Sequence, residues 1–214
     1  MENDPTLMKR LGTWALVCGI LSVIFYTLHD VIGGMFYPGY DRMTQAVSDL
    51  TAVSAPSQTV AGGLTSIHGI FSCICCAFLC VMAKGLRKSL RLGIWLFAAM
   101  NAVSAIGYSL FPLTGSGYDG SFQSFVHVYV VTILVVLLSI VSLVLIAIGS
   151  FRDRRKALGI LAIIALLCMF FGAAGSANLP QSIFGIVERF STYSAVIFTA
   201  ILGVFAYRLG KSKG

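Results

Sequence analysis

Three histidines, His29, His68 and His127, are the chain's only imidazoles. Imidazoles that converge from separate helices suit zinc or haem iron. A carboxylate from Asp30, Asp49 or Glu188 would complete a zinc site or orient a histidine, and a zinc-bound water would then serve as a nucleophile. The plainer reading bonds each histidine to a neighbouring carbonyl or water. Proton transfer or ligand contact is a third role open to them. No close His-x-x-x-His pair is present. Ser48-Asp49 reads as a turn or helix cap. Ser48 would be a nucleophile only with a histidine as base, and no nucleophile-elbow glycines flank it. The candidates for catalysis are therefore His29, His68, His127, Ser48 and Asp49.

A second set suits ligand contact. His68, Ser72 and Cys75 or Cys76 recur at helical spacing and share one face. Asn101, Ser104 and Tyr108 repeat that pattern further on. Such faces either glue helices together or line a polar cavity, and an intramembrane Asn serves well as interhelical glue. Glu188-Arg189 opens a late apolar run, where the helix dipole favours the acid. Arg189 would pair with Asp49 or Asp41, or would hold a phosphate or carboxylate headgroup. The ligand-binding candidates are Arg189, Glu188, Asp41, Asn101 and Tyr108. The six cysteines all fall within apolar runs and read as packing residues without disulfides.

The elements that position these groups follow from composition. The chain has 214 residues, 57% of them hydrophobic and only 11% charged, far fewer charges than a soluble domain carries. A membrane helix needs about 20 apolar residues. The runs predict six, over about 11–33, 64–83, 92–111, 125–149, 157–177 and 187–207, with a long polar loop at 34–63. The expected fold is an all-α, six-helix membrane bundle in a single domain. The first run is too long for a signal-peptide core and is read as a retained helix.

Charge orients the bundle. Of the 15 Lys and Arg, all but Arg42 and Arg189 fall in the two terminal segments or in the two basic turns after the second and fourth helices. Both termini are therefore expected in the cytoplasm. The net charge of +7 is a topology signal and a contact to anionic lipids, not a nucleic-acid groove. Asp30, Asp41, Asp49, Asp119 and Glu188 lie on the opposite, outer side, so polar chemistry is concentrated there.

Tyr37-Pro38-Gly39-Tyr40-Asp41, then Gln45-x-x-Ser48-Asp49-Leu50 and Ala55-Pro56, resemble the prokaryotic membrane family called "domain of unknown function 998". Phe111-Pro112 with His127, and Gly185-x-x-Glu188-Arg189, look like its remaining landmarks, and the resemblance covers almost the whole chain. Ser48-Asp49 followed by Pro56 is also distantly similar to the eukaryotic Frag1/DRAM/Sfk1 membrane proteins, which are associated with lipid remodelling. The resemblance implies the fold and no set activity, and it favours lipid handling.

The leading reading is a multi-pass protein of the cell membrane that handles a lipid or small amphiphile in an outer polar pocket, built from His29, Asp49, His68, His127, Glu188 and Arg189. The alternatives are a metal-dependent membrane hydrolase, a membrane substrate-binding subunit of a transporter, and a haem-binding redox protein. No cofactor is demanded; zinc or haem at the histidines is what the residues allow. The partners expected are membrane lipids, with an oligomer or a membrane partner subunit allowed and no nucleic acid.

Overall fold

A computed structural model describes residues 5–212, leaving out the side chains of Ser176 and Ala177. Lys213, counted above among the terminal basic residues, lies outside the described residues. The fold is all-α. Its long helices are α1 (Pro5–Met35), α2 (Gln58–Met82), α3 (Lys88–Leu110), α4 (Phe122–Arg152), α5 (Lys156–Asn178) and α6 (Phe184–Ser212). All six are long and apolar enough to cross a membrane, so the chain is a multi-pass membrane protein.

The helices overrun the apolar stretches by up to six residues at their starts and up to five at their ends, except that α2 and α3 end one residue short. Apolarity marks the part that lipid must cover, while backbone hydrogen bonding carries the helix onward into polar sequence. Local chemistry stops them. After α3 comes Phe111-Pro112, where proline cannot continue the turn. Before α4, the Ser121 hydroxyl accepts from the Ser124 amide at 3.1 Å, a side-chain cap for an otherwise orphaned N–H. Residues Val126–Val131 of α4 wind as a π-helix, and the carbonyl of His127 accepts from the Thr132 hydroxyl at 2.9 Å.

Helix α1 packs against both α2 and α6; α3 packs against α4, and α5 against α4 and α6. The α1–α6 seam is a close one along its whole length. A Cβ on Gly12 would sit 2.7 Å from the Ala206 carbonyl oxygen, and one on Gly203 would sit 2.8 Å from that of Ala15. Only glycine lets these backbones meet, the small-residue solution typical of membrane helices. The antiparallel register runs from Gly12 beside Ala206, through Gly19 beside Ala200, to Asp30 beside Arg189. Packing in one half of the bundle thus sets which charged residues meet in the other.

The main core fills the half nearer the termini and includes Leu79, Leu90, Phe97, Leu143, Ile146, Phe198 and Leu202. A second cluster at the opposite end holds Tyr26, Val47, Leu50, Ala61 and Val196. Val47 and Leu50 belong to a 3₁₀ turn, Val47–Thr51, in the first loop. That loop therefore drives its own apolar side chains into the bundle.

Candidate functional site

Asp30 stands in the last turns of α1 and is 5% exposed. A carboxylate so placed must be paired or neutralised. Arg189 of α6 meets it with a two-pronged fork: Nε donates to Oδ2 at 3.0 Å and Nη2 to Oδ1 at 2.8 Å. Tyr193, one turn further along α6, donates its hydroxyl to Oδ2 at 3.1 Å. The planar guanidinium matches the carboxylate as lysine could not.

The rest of Arg189 is spent on the first loop. Nη1 donates to the carbonyls of Arg42 (3.0 Å), Gln45 (3.2 Å) and Gly185 (2.7 Å), and Nη2 also reaches the Tyr40 hydroxyl at 2.7 Å. Tyr40 in turn donates to the Ala46 carbonyl at 2.8 Å. Burial raises the Tyr40 pKa to about 12, so it keeps the proton that this bond needs. The Gly185 amide donates to the Met43 carbonyl at 2.7 Å, and Gln181 Nε2 to that of Thr44 at 3.1 Å. Four successive carbonyls, 42 to 45, thus face the start of α6 and the short 3₁₀ turn Gln181–Ile183 before it, and take up donors there. Any Cβ on Gly185 would collide with the carbonyl oxygens of Arg42 and Gln45. Glu188 closes the wrap by accepting from the Val47 amide at 3.3 Å.

The first loop is also tied to the second loop, residues 111–121, between α3 and α4. Asp49, 3% exposed, accepts from the Ser116 hydroxyl at 2.7 Å and the Gly117 amide at 3.4 Å. Val53 and Ser54 donate backbone bonds to Leu113 and Thr114 at 2.8 and 3.2 Å.

Several expectations are corrected by this geometry. Arg189 pairs with Asp30, not with Asp49 or Asp41. Asp41 instead shapes its own turn, Oδ1 accepting from the Met43 amide at 2.9 Å and Oδ2 from the Thr44 hydroxyl at 3.1 Å. The three histidines do not build a metal site. Nδ1 of His29 bonds to the Ala61 carbonyl at 3.0 Å, that of His68 to the Ser22 carbonyl at 2.9 Å, and that of His127 to the Phe111 carbonyl at 2.7 Å. His29 and His68 both lie against Tyr26, whereas His127 lies against Tyr108. Among the described residues no group of three His, Cys, Asp or Glu converges to hold a metal. Each imidazole ties a helix to a neighbouring backbone instead.

Among the described residues, no hydrogen bond joins Ser48 to a histidine. Its carbonyl accepts from the Thr51 hydroxyl at 3.0 Å. Asn101 is buried and donates to the Phe97 carbonyl of its own helix at 3.0 Å and to Cys76 Sγ of α2 at 3.7 Å, and Tyr108 bonds Thr132 of α4 at 3.0 Å. Both residues join helices away from the Arg189 fork. Read from the sequence, Asp30 has a role only as a zinc ligand or histidine partner, and Tyr40, Arg42 and Tyr193 have no site role. One signal pointed to them: an acid at the end of an apolar run needs a cation, and Arg42 and Arg189 are the two basic residues on that side.

Two open grooves flank the fork. One, of about 410 Å³, is lined by Cys168 of α5 and by Ile186, Arg189, Phe190, Tyr193, Ser194 and Ile197 of α6. The other, of about 510 Å³, is lined by Val31, Gly34 and Met35 of α1 with Tyr40 and Arg42 of the loop. Each joins apolar walls to an arginine.

Residues 16–205 match the family model described as protein of unknown function (DUF998). The match spans most of the chain, which therefore belongs to the DUF998 family. No curated protein and no solved structure matches it.

Proposed function

We propose that this DUF998 protein binds a lipid or other amphiphile at the end of the bundle opposite its termini, and that this end is the outer one, a reading that the bias of Lys and Arg toward the terminal side supports. The observation that carries this reading is the groove between α5 and α6, where the Arg189 and Tyr193 side chains border a wall of Ile186, Phe190 and Ile197. Its volume falls in the range of small-molecule sites. From Ile186 to Ile197 it follows about 16 Å of helix, which suits an extended hydrocarbon chain. An apolar trough of that length is the complement of an amphiphile's hydrocarbon tail.

The test uses protein purified in mild detergent, with native mass spectrometry reporting bound lipid. Replacing Ile197 by Trp fills the trough from its apolar end. It is expected to cut lipid retention several-fold while leaving the thermal unfolding midpoint within a few degrees. Unchanged retention in this variant, with the fold intact, would sink the reading.

A further inference from the structure

Arg42 and Arg189 both approach Asp30, yet their donors are used differently. Every N–H of Arg189 is committed: Nε and Nη2 to the carboxylate and Tyr40, Nη1 to backbone carbonyls. Its charge is matched by Asp30 at 2.8 Å, and its side chain is only 13% exposed. It has nothing left to offer a ligand.

Arg42 is 44% exposed, and its Nε stands 4.0 Å from Asp30 Oδ1, beyond hydrogen-bond reach. Nη2 is pinned by the carbonyls of Asp30 and Val31, each at 3.0 Å. Both carbonyls belong to the last turns of α1, so they tie Arg42 to the end of that helix. Among the described residues Nη1 has no hydrogen-bond partner. The neighbouring acid, Asp41, turns its carboxylate to Met43 and Thr44. What remains is a guanidinium fixed in orientation, with a free end and a charge that Asp30, already taken by Arg189, does not neutralise. It lines the groove of about 510 Å³ beside Tyr40, whose other walls, Val31 and Met35, are apolar and exposed.

We infer that this groove binds the anionic headgroup, a phosphate or carboxylate, of the amphiphile through Arg42, with Arg189 acting as a positioning residue. The inference rests on the amphiphile-binding reading above and adds the charge of the ligand and the residue that reads it. Pre-orientation matters here. The two α1 carbonyls have already ordered a side chain that would otherwise lose its rotamer freedom on binding. An anion there would meet a guanidinium whose nearest carboxylate, Asp30, is already held by the Arg189 fork.

The experiment titrates the full chain, in detergent, with phosphatidic acid, phosphatidylglycerol and phosphatidylcholine of the same acyl chains, read by native mass spectrometry. The anionic lipids are expected to bind about tenfold tighter than phosphatidylcholine, the scale of one charge-assisted hydrogen bond. Arg42→Gln should bring that ratio to about one, chiefly by weakening the anionic lipids. Arg42→Lys, which retains the charge, should keep part of the preference. Val31→Trp, which fills the groove and spares Arg42, should weaken the anionic lipids as well.

A preference that survives both Arg42→Gln and Val31→Trp overturns the inference. Equal binding of all three lipids by the wild type overturns it too, and leaves amphiphile binding standing. Binding of none overturns the amphiphile reading and this one with it. Inorganic phosphate, added as a competitor, separates two sources of the same chemistry. Displacement assigns the site to phosphate itself, and lack of displacement assigns it to the headgroup of a lipid held by its tail; either result supports an anion at Arg42.

Discussion

From mid-bundle to the termini, the interior is closed by side chains that need no particular partner. Leu79, Leu90, Phe97, Leu143, Phe198 and Leu202 are wholly buried there. At the opposite end the interior holds His29, Asp30, Asp49 and His127, each almost fully buried and each bonded to a specific acceptor or donor. Apolar packing is non-directional and tolerates swaps of similar volume. A buried ion pair tolerates none, because removing one partner strands the other. The apolar end thus supplies cohesion, and the polar end supplies one required arrangement of loops over helices.

The largest expected effect breaks that arrangement at its centre. Arg189→Ala leaves Asp30 buried without its fork, and Asp30→Ala leaves Arg189 likewise. Each should cost about 3–5 kcal/mol, read as a fall in the thermal or denaturant midpoint in detergent. The double replacement Asp30→Ala with Arg189→Ala should cost less than the two singles added together, since neither charge is then stranded. Additive losses would show that the two residues do not act as a pair. The same contrast predicts that a volume-conserving change at the other end, such as Leu143→Met, costs under about 1.5 kcal/mol.

A smaller effect tests the wrap of the first loop on α6. At Gly185 any side chain meets the carbonyls of Arg42 and Gln45. Those are backbone atoms, fixed by the Arg189 bonds, so they cannot swing aside. Gly185→Val should cost about 1–3 kcal/mol and should raise protease cleavage within residues 41–47, while cleavage in the turn between α2 and α3 stays unchanged. Uniform exposure of both turns would mean that the loop and the bundle unfold as one unit.

The two ends also differ in how far the sequence disclosed them. Six membrane helices are legible because lipid demands a long unbroken apolar run, and each run shows it. The Asp30–Arg189 pair is far less visible. Its members are 159 residues apart and belong to no local period. They meet because glycines at 12, 19 and 203 set the α1–α6 register. The wrap of residues 42–45 is harder still, since its acceptors are backbone carbonyls and no side-chain type marks them. Gly185 marks it in retrospect, as a residue whose missing Cβ makes room for another segment's backbone. The histidines misled in the opposite direction. Their common end of the bundle suggested a shared ligand, whereas an imidazole in a helical membrane protein also serves as a tie to a neighbouring carbonyl.

The most local effect concerns Asp49, which joins the first loop to the segment between α3 and α4 without any cation. Its Oδ2 accepts from Ser116 and its Oδ1 from the Gly117 amide, while Ser48 beside it stays clear of the histidines. Asp49→Asn keeps the shape and one acceptor but turns an NH₂ toward a donor, so one of the two bonds is lost. The expected cost is about 1–3 kcal/mol, confined to the contact between the loops. Hydrogen exchange should show it as faster exchange at the Val53, Ser54 and Gly117 amides, with the Gly185 amide unaffected, because the Arg189 fork holds that part of the loop independently. If Gly185 exchanges faster as well, the two anchors of the loop are coupled, and the polar end opens as a single lid. If catalysis rather than closure depended on Asp49, the exchange pattern would stay that of the wild type while turnover of a lipid substrate fell.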